Sequence, residues 1–163
     1  MNRLGYMKVA GAVPELRVAD CLFNAQQIAV EVEKAAKRGS EVILLPELSI
    51  SGASCGDLFL QPKLLLQAEE SLKWLISRCT EYPIAVVVGM PIRVGSSLYN
   101  AAVFFSEGEI LGVVPKCNID SLTEGRWFSS GCDVRESSML LCEQEVPFGR
   151  DLIFKINGVE IGV

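Results

Sequence analysis

Two charged residues, Glu47 and Lys116, stand in matching positions where they could work together in acid-base chemistry. Each directly follows a proline that ends an apolar run, in the phrases LLPEL and VVPKC. Such runs favour buried strands, so both side chains are expected at one edge of a sheet, where the sites of α/β proteins collect. A carboxylate beside an ammonium can transfer a proton, while the ammonium stabilises negative charge in a transition state. The alternative is a pair of solvated or structural loop charges, which the spacing alone favours.

The remaining residue types limit the chemistry further, because the chain has no histidine. Any general base must therefore be an Asp, Glu, Lys, Tyr or Cys side chain, and Ser-His-Asp and Cys-His mechanisms are excluded for this chain. Six cysteines are present, and no two of them have the close spacing of zinc ligands: Cys21, Cys55, Cys79, Cys117, Cys132 and Cys142. No metal site is expected, and reduced, mostly buried thiols are favoured over a disulfide framework.

Composition and charge are typical of a soluble, core-forming protein. Half of the 163 residues are hydrophobic, 21% are charged, and the net charge is −5 at pH 7. The sequence has no Lys/Arg stripe for a polyanion, so nucleic acid is not expected as a partner. The longest apolar stretch, residues 84–92, is far shorter than the roughly 20 residues of a membrane span. The amino terminus lacks the apolar core of a secretory signal, so a cytoplasmic location is expected.

Apolar patterns predict the strands and helices that would position Glu47 and Lys116. Short apolar runs predict strands over residues 6–13, 41–45, 84–90, 98–105, 110–114, 151–154 and 159–163. The strands on either side of Glu107-Gly108 are expected to form a hairpin. Apolar residues at helical spacing predict helices over residues 21–38, with Asp20 as its N-cap, and 63–80. The order of these elements predicts an α/β sandwich with a mixed sheet.

Four phrases give a more specific indication. They are PELSISGASCGDLFLQ at 46–61, VVVGMPIRVGSSLYNAAVFFSEGEILGVVPK at 86–116, EGRWFSSG at 124–131 and CEQEVPFGRDLIF at 142–154. Together they resemble the amino-terminal glutamine amidotransferase domain of glutamine-dependent NAD⁺ synthetases, which belongs to the nitrilase (carbon-nitrogen hydrolase) superfamily. The resemblance implies a nitrilase-like α-β-β-α sandwich with mixed sheets, of which residues 1–163 would be the amino-terminal portion.

The superfamily uses a Glu-Lys-Cys triad, and the resemblance assigns its first two members to Glu47 and Lys116. Glu47 would be the general base, and Lys116 would stabilise the tetrahedral oxyanion. A supporting glutamate of the family aligns with Glu124, where it would orient the site rather than transfer protons. The family's nucleophilic cysteine belongs to an EICEDLW phrase, which is expected next after the final GVEIGV. The chain as written would then be inactive alone. Cys117 is a weaker candidate nucleophile, because neighbouring side chains at a strand end point apart.

Two departures from the family pattern concern the expected glutamine pocket. The stretch CNIDSLTE at 117–124 is shorter than its family counterpart and lacks a tyrosine that contributes to that pocket. Either this loop has diverged or residues are missing from it. Ala53 also stands where the family often has an aromatic residue. The resemblance therefore implies an altered glutamine pocket.

The resemblance also implies a larger parent enzyme. That enzyme would hydrolyse glutamine and pass the ammonia to a synthetase domain, which amidates ATP-activated deamido-NAD⁺. No cofactor is expected in this chain, which has no GxxxxGK[ST] loop; ATP and Mg²⁺ are implied for the synthetase domain only. The expected partners are L-glutamine, the synthetase domain and further copies in a homo-oligomer. A stand-alone amidase of the superfamily and a non-catalytic interaction module remain as alternatives.

Overall fold

A five-stranded mixed sheet forms the centre of the fold in a computed structural model, which describes residues 6–163. Its strands lie in chain order: β1 Val9–Gly11, β2 Val42–Leu44, β3 Ala85–Val94, β4 Ser97–Ser106 and β5 Glu109–Pro115. The first three strands run parallel, and β3, β4 and β5 form an antiparallel meander. The predicted mixed sheet is confirmed. Residues 1–5, the first five of the domain predicted for residues 1–163, lie outside the described residues.

Two helices with apolar stripes cover one face of this sheet. Helix α1, Cys21–Lys37, begins at Asp20, whose carboxylate accepts a hydrogen bond from the Phe23 N–H at 3.3 Å. Helix α2, Pro62–Cys79, begins with a proline, whose missing N–H would have no partner in a first helical turn. Both predicted helices are confirmed. Within residues 6–163, neither helix is long and apolar enough to cross a membrane.

The main core lies between these helices and the sheet. Residues from α1, α2, β3 and β4 in this core are fully buried, among them Ile28, Val32, Leu72, Leu75, Val86, Val88 and Val103. The apolar stripes of the helices thus face the sheet and hold β2 and β3 at fixed positions. These are the strands that lead to and support Glu47.

A short hairpin after the main sheet was not predicted from the sequence. Its strands are β6, Ser138–Leu141, and β7, Gln144–Pro147. The two residues of its turn, Cys142 and Glu143, have φ angles of 51° and 64°. A turn of this kind usually contains Asn or Gly, so Cys-Glu provided no turn signal in the sequence.

A second hairpin covers part of the other face of the sheet. Strands β8, Ile153–Ile156, and β9, Val159–Gly162, pair antiparallel, close to the predicted positions. Phe154 stacks on Phe104 of β4, with their ring centroids 4.3 Å apart. The helices, the main sheet and this hairpin give the α, β and part of the second β layer of the implied sandwich. In the described residues the second helical layer has no counterpart.

Candidate active site

Glu47, Lys116 and Glu124 meet at one edge of the main sheet. Glu47 follows the end of β2, and Lys116 follows the end of β5, which points the same way. The Lys116 ammonium donates hydrogen bonds to Glu47 Oε2 at 3.0 Å and to Glu124 Oε1 at 3.0 Å. The structure therefore brings together all three predicted site residues, with one ammonium bridging two carboxylates.

The three side chains differ in exposure and in the forces on their protons. Lys116 and Glu124 are 28% and 24% exposed, whereas Glu47 is 61% exposed. Burial lowers the pKa of Lys116, but hydrogen bonds to Glu124 and Glu47 outweigh it and hold the pKa above its usual value. Burial likewise raises the pKa of Glu124, but hydrogen bonds from Lys116 and the Asp120 N–H leave that pKa below its usual value. Lys116 is therefore an ammonium and Glu124 a carboxylate at neutral pH.

Glu47 and Lys116 line one wall of a pocket of about 510 Å³. Most of the lining comes from apolar residues at the ends of β2, β3, β4 and β5, and the polar groups are few. Arg150 adds a second cation to the lining, and Val163 at the end of the chain lies there too. A mostly apolar pocket with a few convergent polar groups is the usual form of a small-molecule site.

Asn100 is a site residue that the sequence analysis missed. It lies on β4 with only 2% of its surface exposed, and its side-chain amide donates to Glu47 Oε2 at 3.1 Å. The backbone carbonyl oxygen of Asn100 accepts a hydrogen bond from the Lys116 backbone N–H at 2.8 Å. Asn100 thus holds the Glu47 carboxylate and the Lys116 backbone together. A single polar residue within the apolar run LYNAAVFF was the available signal, because a buried amide requires partners.

Glu124 is held in place by contacts between two of the phrases that resemble the family. Asp57, in the phrase CGDLFLQ, accepts two hydrogen bonds from Arg126 at 3.0 and 2.9 Å and one from Trp127 Nε1 at 3.0 Å. The bonds from Trp127 and Arg126 hold the pKa of Asp57 below its usual value. The phrase EGRWF is thereby tied to the CGDLF loop, with Glu124 directed at Lys116.

The stretch that departs from the family pattern forms a turn around Asp120. The Asp120 carboxylate accepts hydrogen bonds from the Leu122 N–H at 3.0 Å and the Thr123 hydroxyl at 2.8 Å. Ala53, the other departure, is exposed and is not among the residues that line the pocket. The altered glutamine pocket remains a prediction.

The prediction of mostly buried cysteines is confirmed, since four of the six are buried; none of the six is in a disulfide in this structure, and their reduced state remains a prediction. Cys117 lines the pocket beside Lys116, but its contact with Cys132 and its burial raise the pKa of its thiol. A nucleophilic cysteine requires the opposite shift, which argues against Cys117 in that role. Within residues 6–163, no group of three metal-ligating side chains could hold an ion.

Gly89 on β3 allows the Glu47 turn to pack directly on the sheet. A Cβ at position 89 would lie 2.8 Å from both the Glu47 Cα and the Pro46 carbonyl oxygen, and it would overlap the Leu48 nitrogen. Leu48 itself has a φ of 52°, in the left-handed region that leucine seldom adopts. The turn therefore has no room to move away from an added methyl group without displacing Glu47.

We expect Gly89→Ala to lower the free energy of unfolding by about 1–3 kcal/mol, the usual cost of overpacking. Urea denaturation of the full chain, followed by circular dichroism and tryptophan fluorescence, measures the change. Gly11→Ala on β1 is the matched control, because a Cβ there would contact nothing within 4 Å. Equal losses in both variants would contradict the steric explanation.

Comparison with known proteins gives matches over most of the chain. Residues 9–147 match the family model for carbon-nitrogen hydrolases. A glutamine-dependent NAD(+) synthetase from Mycobacterium bovis is 31% identical over 153 residues, which cover 92% of this chain and 22% of that protein. One from Aquifex aeolicus is 33% identical over 117 residues, covering 70% of this chain and 20% of that protein. The chain thus spans about a fifth of the length of these relatives.

Solved structures share the fold. A glutamine-dependent NAD(+) synthetase from Cytophaga hutchinsonii superposes with a TM-score of 0.86 at 27% identity, over 96% of this chain and 27% of that one. A variant of the amidase from Nesterenkonia sp. AN1 superposes with a TM-score of 0.70 at 18% identity, over 95% of this chain and 55% of that one. At that identity the likeness to the amidase shows the fold alone.

Proposed function

The chain belongs to the carbon-nitrogen hydrolase family, and from that premise we propose that it is the glutamine-hydrolysing part of a glutamine-dependent NAD⁺ synthetase. The observation that carries this proposal is the hydrogen-bonded trio of Glu47, Lys116 and Glu124, of which Glu47 and Lys116 line the pocket. The relatives named as glutamine-dependent NAD(+) synthetases support the choice of glutamine as substrate. The proposed reaction converts glutamine and water to glutamate and ammonia.

Glu47 has the geometry of a general base. Both hydrogen bonds that it accepts from described residues reach Oε2, one from Lys116 at 3.0 Å and one from Asn100 at 3.1 Å. These bonds orient the carboxylate and leave Oε1 available for a proton from a thiol. The same oxygen would then return the proton to the departing ammonia and later activate the attacking water.

Lys116 is suited to stabilise the oxyanion that forms when the amide carbonyl is attacked. Its ammonium is partly buried, so its charge acts in a medium of lower dielectric than water, and two carboxylates keep it protonated. Glu124 acts through Lys116: it fixes the position of the ammonium and does not itself transfer a proton.

The attacking thiol is proposed to come from the cysteine of the EICEDLW phrase that the resemblance places after GVEIGV. The placement of β9 supports this part of the proposal. Val163, which directly follows β9 and is the last residue of GVEIGV, lines the pocket together with Glu47 and Lys116. The acyl-enzyme formed on that cysteine would be hydrolysed with Glu47 as the base.

The wider assignments form part of the same proposal. Ammonia would pass to a synthetase domain of the parent protein, and ATP and Mg²⁺ would act there. A cytoplasmic location is proposed, supported by six free thiols. A homo-oligomer is proposed, supported by the exposed apolar side chains Val9, Leu44 and Ile153, which are 60%, 51% and 69% exposed.

The test is an amide-hydrolysis assay with the full-length protein, in which glutamate and ammonia are both measured. Glutamine is expected to exceed asparagine by about 10- to 200-fold in kcat/KM, the discrimination that one methylene supplies. Preference for a simple aliphatic amide would instead indicate the stand-alone amidase. A folded protein that hydrolyses no amide would contradict the proposal and favour the interaction module.

A further inference from the structure

Two cysteines outside the roles assigned above lie next to each other: Cys117, which lines the pocket, and Cys132. The segment after Ser129 packs along the end of β5: the Gly131 N–H donates to the Lys116 carbonyl at 2.8 Å, and the Ser130 hydroxyl donates to the Cys117 carbonyl at 2.7 Å. The Cys132 N–H in turn donates to Ser130 Oγ at 3.2 Å. These bonds hold Cys132 next to Cys117, although fifteen positions separate them in the sequence.

The surroundings of the two thiols give them different reactivity. Cys132 is exposed, whereas Cys117 is partly buried and lines the pocket. Contacts with Cys117, with the Arg150 guanidinium and with Ser130 lower the pKa of Cys132. The contact with Cys132, together with burial, raises the pKa of Cys117. Cys132 is thus the better attacking thiolate. Cys117 reacts second, with the sulfur of the mixed disulfide at Cys132.

The remaining cysteines lack both exposure and activation. All four are buried, and burial is the main cause that raises their pKa values: to about 12 for Cys21, Cys79 and Cys142, and above the usual value for Cys55. Thiol chemistry in the folded protein is therefore confined to Cys117 and Cys132, and the four buried thiols provide internal controls.

We propose that Cys117 and Cys132 form a reversible thiol-disulfide pair, a modification site for small disulfides of the glutathione class. The Cys132 thiolate attacks one sulfur of the disulfide, which yields a mixed disulfide and releases one thiolate that takes a proton from water. Cys117 then attacks the Cys132 sulfur, and its proton goes to the second thiolate that leaves. Two protein thiols are oxidised to one protein disulfide, and the small disulfide is reduced to two thiols.

Oxidation of this pair is expected to affect the candidate active site. Cys117 directly follows Lys116, whose carbonyl is bonded to Gly131, and both Cys117 and Arg150 line the pocket. A covalent bond to Cys132 would fix the lining at this point and remove a thiolate from Arg150. The chemistry of the pair stands on its own geometry and does not depend on the proposed hydrolysis of glutamine.

The test is incubation of the full chain with glutathione disulfide, followed by alkylation, digestion and peptide mass spectrometry. The expected result is a Cys117-Cys132 disulfide, lighter by two hydrogen atoms than the reduced form and reversed by dithiothreitol. Cys117→Ser should accumulate a stable glutathione adduct at Cys132, and Cys132→Ser should give neither product at this site. The four buried cysteines should be alkylated only after denaturation.

Three outcomes would overturn the proposal. The first is a glutathione adduct that persists on Cys132 while Cys117 is intact, because the two sulfurs would then be too far apart to join. The second is adducts spread evenly over all six cysteines, and the third is no reaction at Cys132. All three outcomes are detected by peptide mass spectrometry, so they can be distinguished from a failure of the glutamine-hydrolysis assay.

Discussion

Glu47→Gln in the full-length protein is expected to reduce glutamine hydrolysis by about 10²- to 10⁴-fold, the usual contribution of a positioned general base. The amide has the shape of the carboxylate and can still accept hydrogen bonds from Lys116 and Asn100, but it cannot take a proton from a thiol. The loss should therefore appear in kcat, with little change in KM. Steady-state rates of glutamate formation measure both constants.

Glu81→Gln is the matched control for this substitution, because Glu81 lies exposed after α2 and away from the pocket. It should retain the wild-type rate, and circular dichroism should show both variants folded. A folded Glu47→Gln protein that keeps most of its kcat would contradict the role of Glu47 as base. A change confined to KM would assign Glu47 to substrate binding instead.

The positions of Glu47 and Lys116 could be predicted because they depend on strand direction. Each residue follows a proline at the end of an apolar run, and the strands that carry them, β2 and β5, end at the same edge of the sheet. The two helices could also be predicted, because an apolar stripe at helical spacing has few other ways to become buried. These patterns could not show that the two charged groups form a hydrogen bond. In the structure the Lys116 ammonium lies 3.0 Å from Glu47 Oε2.

The extent of β3 was harder to predict, because a proline interrupts its pattern. The sequence predicted a strand ending at residue 90, before Pro91, yet β3 continues to Val94. The ladder with β2 ends at Leu44 opposite Val87, so Pro91 loses no partner on that side, while β4 continues to pair along the other. A proline is tolerated where the neighbouring strand has already ended.

The supporting residues of the site could not be predicted from local patterns, because their contacts join distant parts of the chain. Asp57 binds Arg126, which is 69 positions away, and Asn100 binds Glu47 across 53 positions. Nothing in the residues near Asp57 or Asn100 indicates these partners. The resemblance placed Glu124 in the site, but the connection from Asp57 through Arg126 that holds its loop emerged only from the folded structure.

Lys116→Met is expected to lower kcat by about 10²- to 10³-fold, the loss seen when one donor to an oxyanion is removed. Methionine has nearly the same length and volume but no charge, so the pocket should keep its shape. The substitution also leaves Glu47 and Glu124 without the ammonium that now lies between them at 3.0 Å from each. Loss of the ammonium and repulsion between the two facing carboxylates both act to raise the pKa of Glu124.

Titration of Glu124 separates this electrostatic role from a purely structural one. Lys116 helps to hold the pKa of Glu124 below its usual value, so Lys116→Met should raise that pKa. Lys116→Arg keeps the charge and should leave the pKa of Glu124 near its wild-type position, even if the longer guanidinium lowers kcat. Carboxyl chemical shifts followed by NMR against pH measure the pKa of Glu124 in the wild-type protein and in both variants. An unshifted pKa of Glu124 in a folded Lys116→Met protein would mean that Lys116 does not control the protonation of this carboxylate.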